Sequence, residues 1–235
     1  MTLEEVMQLL AEKGDAGTKR TFLRHGAKEP LFGVRVGDLK PIAKQLRGEQ
    51  KLAMQLYATK NSDAMYLAGM IADGAQMTAK QLEQWASKAT WHMIAGYTVP
   101  WVASEHAEAI ELGLGWIDSK KEMVAVAGWG TLAAVACMQS DDTLPIQTFE
   151  KLLGRCVKEI KKAPNRVRAA MNNFVICVGT YVKPLGEKAI ATARKISPVE
   201  VDVGDTDCKI PDAESYILKS RRGAAVAAKR KTIRC

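Results

Sequence analysis

The stretch SKKEMVAVAGWGTLAAVACM, residues 119–138, constrains this chain more than any other. It is apolar all round, so as a helix it has no face to give to water and must lie at the centre of a helical body. Ser119 followed by Glu122 has the spacing of a capping box and predicts where that helix starts. The many small residues along it let neighbouring helices approach closely. Neither this run nor any other is long enough and free enough of charge to span a bilayer.

The rest of the chain carries the same period. Leu3, Val6, Met7 and Leu10 share one face of a helix over 2–13 that Gly14 ends. Further helices are predicted over 16–25, 38–47, 50–59, 63–75, 78–88, 90–103, 105–117, 146–161, 166–182, 184–196 and 212–222. The segment 29–37, with Pro30, Gly33 and Gly37, reads as a loop. No strand-type alternation recurs. About a dozen helices in pairs of roughly 35–45 residues predict an all-α fold, a HEAT-like or armadillo-type α-α superhelix. Stacked pairs of this kind form a curved helical solenoid with a concave face. The expected organisation is one helical domain over 1–222 and a basic, flexible C-terminal tail over 223–235.

Within that frame the stretch WASKATWHMIAGYTVPWV, residues 85–102, concentrates three of the five tryptophans. Thr90 can cap the second helix of this pair, and Pro100 inside it predicts a kink. Trp85 and Trp101 read as core. Trp91, in a first turn, has two readings, core filler or a side chain facing a groove.

The formal net charge is +8. Seven of the cations, Lys219, Arg221, Arg222, Lys229, Arg230, Lys231 and Arg234, lie in the last seventeen residues with no acid among them. The remainder is close to neutral. Such a tail binds polyanions through counterion release, or is simply solvated. Two further basic groups stand out. Lys40, Lys44 and Arg47 line the polar face of one helix, as a phosphate-facing stripe or a solvated face. Lys158, Lys161, Lys162, Arg166 and Arg168 crowd a helix start, where side chains and free backbone N–H groups both suit phosphate.

Other chemistry is not indicated. Cys137, Cys156, Cys177, Cys208 and Cys235 are widely spaced, with no zinc-type Cys or His pattern, so free thiols are expected and no metal or cofactor. Asp202, Asp205, Asp207 and Asp212 lie in an irregular loop without EF-hand order. MTLEEVMQLLAEKG lacks the regions of a signal peptide, so a soluble, cytoplasmic protein, expected to be monomeric, is predicted.

Three segments in this order resemble the bacterial DNA alkylation repair family, the AlkD-like HEAT-like-repeat DNA glycosylases. They are FGVRVGDLKPIAKQL (32–46), SKATWHMIAGYTVPW (87–101) and RVRAAMNNFVICVGTYVKPL (166–185). The likeness runs to about Leu185. The basic tail and the GDTDCKIPDAESYI segment lie beyond it and suggest a distinct branch.

The resemblance implies double-stranded DNA lying across a basic concave surface, with Lys40, Lys44, Arg47, Lys161, Lys162, Arg166 and Arg168 as candidate contacts. Active members of the family excise cationic alkylpurines such as 7-methylguanine. A cationic base is already a good leaving group, so the need is to stabilise the positive deoxyribose. A carboxylate does this electrostatically and tryptophan faces help, while an arginine contacts the DNA beside the lesion. The family tryptophan falls on Trp91, the carboxylate on Ala95 and the arginine on Val126. Loss of both charged groups implies weak or absent alkylpurine glycosylase activity. Two alternatives stand beside this reading. One is a glycosylase using another group, such as His92 or Glu83, or acting on another lesion. The other is a helical scaffold that binds protein or RNA.

Overall fold

The computed structural model describes residues 1–234; Cys235 lies outside them. Thirteen α-helices and no strands occur among the described residues. In chain order they are α1 (Leu3–Glu12), α2 (Ala16–Arg24), α3 (Val36–Gln45), α4 (Gln50–Ala58), α5 (Ser62–Ile71), α6 (Ala79–Lys88) and α7 (Val99–Ala103). After these come α8 (Ala109–Trp116), α9 (Glu122–Met138), α10 (Ile146–Glu159), α11 (Asn165–Tyr181), α12 (Gly186–Ile196) and α13 (Ala213–Arg221). The helix expected from 105 starts only at Ala109, after a series of turns.

From α4 onwards the helices pack in successive pairs. An inner row, α5, α7, α9, α11 and α13, packs helix to helix, with α9 on α11 the most extensive contact. An outer row of α4, α6, α8, α10 and α12 lies behind it. Helix α9 occupies the centre, as its composition requires, with an unbroken buried run from Ala125 to Cys137. Gly130 shows why small residues are needed there. A Cβ on it would lie 2.6 Å from Pro100 Cγ, so a side chain at 130 would push α7 off α9.

Pro100 also reshapes its own helix. It has no N–H for the carbonyl of Gly96, and the preceding turn widens into a π-turn over Ile94–Thr98, closed by the Val99 N–H on the Ile94 carbonyl. Trp91, not Thr90, starts this segment, its carbonyl accepting from Ile94 and Ala95. Trp85 and Trp101 are core, as expected. The Trp85 ring stacks on Tyr57 with centroids 3.8 Å apart, and the Tyr57 hydroxyl donates to the Trp85 carbonyl at 2.7 Å.

The loop before α3 is fixed by a buried carboxylate. Asp63, in the first turn of α5, accepts the backbone N–H groups of Phe32, Gly33 and Val34 at 2.6, 3.0 and 2.9 Å. Three donors converging on one carboxylate satisfy a charge that burial would otherwise penalise.

Two expectations are corrected. The α9 start has no capping box. Lys121 occupies the capping position without a side-chain bond. The Ser119 hydroxyl accepts only from Lys121 N–H, and Glu122 reaches across to α11, accepting the Arg166 N–H at 2.7 Å. The second correction is the C-terminal tail, which is not a free arm. Arg222 and Gly223, both at positive φ, turn the chain after α13, and residues 224–234 run back along the C-terminal ends of the inner helices. Ala227 N–H bonds the Thr180 carbonyl of α11, and Arg230 N–H the Cys137 carbonyl of α9, each at 2.8 Å. Lys229 Nζ donates to the Ala136 carbonyl and pairs with Asp141. The Arg234 guanidinium reaches the Met70 and Ala72 carbonyls at the end of α5 and pairs with Glu105. The physical reason is that the last carbonyls of a helix have no partners within it, and cations at that end also meet the favourable pole of the helix dipole.

Candidate nucleic-acid interface

Three inner segments meet at a small recess of about 110 Å³. His92, Gly96 and Tyr97 come from the π-turn segment, Val126 and Gly130 from α9, and Arg166, Ala169, Ala170 and Asn173 from α11. Positions 166, 169, 170 and 173 share one face by helical spacing, and small residues keep the floor open. Tyr97 is 48 % exposed at the rim. None of these lining residues carries a carboxylate.

The electrostatics at this corner involve three elements. His92, Arg166 and His25, which caps the end of α2, lie close enough to influence one another. Burial first, then the charges of Arg166 and His25, pushes the His92 pKa down to about 4. The imidazole is therefore neutral at neutral pH, and Arg166 supplies the fixed charge. Helix α11 does not offer a bare N-terminus to phosphate, because Glu122 already takes the Arg166 N–H.

The loop between α12 and α13 reaches the same edge. Asn165 donates to the Asp202 carbonyl and accepts the Asp202 N–H, both at 2.7 Å. Asn172 holds the Pro211 carbonyl at 3.0 Å. Gly204, at φ +80°, passes so near α2 that a Cβ would sit 2.4 Å from the Arg24 carbonyl. The loop thus bridges α11 to α2. Nothing in its acidic sequence signals this; only its glycine hints at a close approach.

The expected site residues separate in the structure. Trp91 does not face the recess. It is 5 % exposed, donates its indole N–H to the His25 carbonyl at 3.1 Å, and packs against Phe22. The reason is local: the chain enters the π-turn with residue 91 directed at α2, so His92 takes the groove side. Ala95 is fully buried, whereas Val126 lies in the recess lining. Glu83 is exposed on the outer helix α6 and does not line the recess. Of the basic cluster, Arg166 alone lines it. Lys161 and Arg168 line a separate pocket of about 320 Å³ with Pro198 and Glu200, and Lys162 a third beside Trp129 and Arg155. Lys40, Lys44 and Arg47 stand exposed on α3 and the turn after it, none of them in the recess. Sequence reasoning missed Tyr97 and His25, and the open depression lined by Arg20, Arg24 and Arg35.

A pairwise-stacked helical solenoid with a small, carboxylate-free recess on its inner row defines the class: a HEAT-like-repeat protein. The chain belongs to the DNA alkylation repair enzyme family, whose profile matches residues 6–201. That match extends past Leu185, the limit of the likeness read from sequence. An uncharacterized protein of Listeria innocua is 31% identical over 227 residues, covering 94% of this chain and 98% of its own. A second, from Listeria monocytogenes, is 30% identical with the same coverage. A solved structure with a TM-score of 0.90 and 35% identity covers 100% of both chains. It is described as a new family of proteins related to the HEAT-like repeat DNA glycosylases, with affinity for branched DNA structures. Its full coverage includes the bridging loop and the C-terminal segment. No helix among the described residues is long and apolar enough to cross a membrane.

Proposed function

We propose that this protein binds double-stranded DNA, branched forms included, on its concave face, and does not excise alkylpurines by the route of the active glycosylases. The absence of any carboxylate from the recess lining carries this reading. Excision of a cationic base develops positive charge on the deoxyribose, and losing one electrostatic stabiliser costs about 100- to 1000-fold in rate. Ala95 and Val126 stand where the family resemblance puts the carboxylate and the arginine, one sealed in the core and the other an apolar patch of recess wall. The nearest alternative carboxylate on the same helix, Glu122, is committed to the Arg166 N–H. Neutral His92 supplies no negative charge. What remains suits binding: Arg166 for a phosphate, Tyr97 for a base or sugar face, and a floor that a backbone can approach closely. The affinity of the 35% identical structural relative for branched DNA supports the choice of partner.

The test measures 7-methylguanine release from methylated duplex DNA, with binding to linear and four-way-junction DNA followed in the same samples across salt. Salt-sensitive binding with no release above background is expected. Release that is lost in Glu122→Gln or His92→Asn would overturn the reading and make the recess catalytic. No binding to either DNA would favour a scaffold for protein or RNA.

A further inference from the structure

The docked C-terminal segment does more than close the fold. Three inner helices, α5, α9 and α11, end along this edge and would present unpaired carbonyls and the negative poles of their dipoles there, a surface that repels phosphate. The strap changes this in two ways. Lys229 and Arg234 turn inward and are spent on helix-end carbonyls and on Asp141 and Glu105. Arg230 and Lys231 stay exposed to solvent. The strap therefore leaves a net positive rail on an edge that the helix dipoles alone would make negative.

The rail is continuous with the recess. Asn173 lines the recess, and Cys177 lies one turn further along the same face of α11, its Sγ 4.0 Å from Asn173 Oδ1. The hydrogen bond that the Cys177 thiol donates to Cys137, together with burial, raises its pKa, and the charge of Arg230, whose N–H bonds the Cys137 carbonyl, opposes that rise. It acts in the same way on Tyr181, the last residue of the helix. One stripe of α11 thus reads Arg166, Ala170, Asn173, Cys177, with a cation of the helix itself at one end and a cation from the strap at the other. Eleven residues of helix separate the two ends, about 17 Å at 1.5 Å per residue.

We propose that Arg230 and Lys231 form a second phosphate-binding rail on the C-terminal edge of the inner helices, so that a DNA duplex arm crossing α11 is gripped at both edges of the recess. This rests on the DNA-binding reading above. The test is the double variant Arg230→Glu/Lys231→Glu, which spares the two inward-turned cations. Thermal unfolding checks that the strap stays docked. Binding to a four-way junction and to linear duplex is measured across salt beside wild type and Arg166→Ala. The expected result is at least a tenfold weaker junction affinity at unchanged melting temperature. The salt slope should also flatten by about two, since each phosphate contact contributes about one. Wild-type affinity and slope in the double variant, while Arg166→Ala binds more weakly, would overturn the rail and leave DNA binding standing. If wild type itself shows no salt-sensitive binding, the rail fails together with the reading on which it rests.

Discussion

The two ends of the inner helices solve the same problem in different ways. At their N-terminal edge, orphan N–H groups are met locally, by individual side chains of the capping residue or of a neighbouring helix. Asn61 caps α5, Asp212 caps α13, and Glu122 takes a first-turn N–H of α11. At their C-terminal edge one continuous segment serves α11, α9 and α5 in turn. Side-chain caps are local, so the N-terminal edge can hold a recess and cations between them. A strap is collective, and couples helices from distant parts of the chain. The proposed DNA-binding surface lies between a mosaic edge and a bound edge.

The largest effect expected at the mosaic edge is from Asp63→Ala. Three N–H groups, two of them buried, lose their acceptor together, and at 1–3 kcal/mol for each unmet donor a loss of about 4 kcal/mol follows. Urea unfolding measures it, and a loss below about 1 kcal/mol would show that water replaces the carboxylate freely. Deleting residues 224–234 breaks the bound edge. The lost hydrogen bonds are largely offset by the freed entropy of the segment, leaving a net cost of about 2 kcal/mol. Hydrogen exchange should then quicken in the last turns of α5, α9 and α11 and not in their first turns. Equal quickening at both ends would erase the contrast.

Acid sharpens the comparison. The His92 pKa of about 4 in the folded protein lies below the ordinary 6.5, so the unfolded chain takes up the proton first. Stability should therefore fall as pH drops from about 6.5 towards about 4, by about 3 kcal/mol. In His92→Gln that part of the decline disappears, which chemical denaturation at several pH values reads directly. The smallest effect is that of Arg166→Ala. It should leave the melting temperature within a degree or two and weaken DNA binding about tenfold.

Much of the architecture is legible in the chain because helix period and all-round burial are local properties of sequence. Residues 119–138 alone require a central helix, and Pro100 announces a distortion that the π-turn then accommodates. The site is less legible. Trp91 and His92 are adjacent, and which of them faces the groove depends on a backbone widening that no composition encodes. The basic run 158–168 is one cluster in sequence and several surfaces in space, since a turn and a helix start direct its side chains to three different pockets. The tail misleads for another reason. A lysine- and arginine-rich segment with no acids has the composition of a free arm, and its partners, helix-end carbonyls, are present in every helix and leave no mark in a sequence.

DNA is proposed to lie on the inner row, over the recess. Hydrogen exchange with and without a saturating four-way junction tests it most directly. Slowed exchange is expected in 92–97 and 165–173, with the outer helices α4, α8 and α10 unchanged. Protection confined to the outer row, or none at DNA concentrations that bind the protein fully, would contradict it.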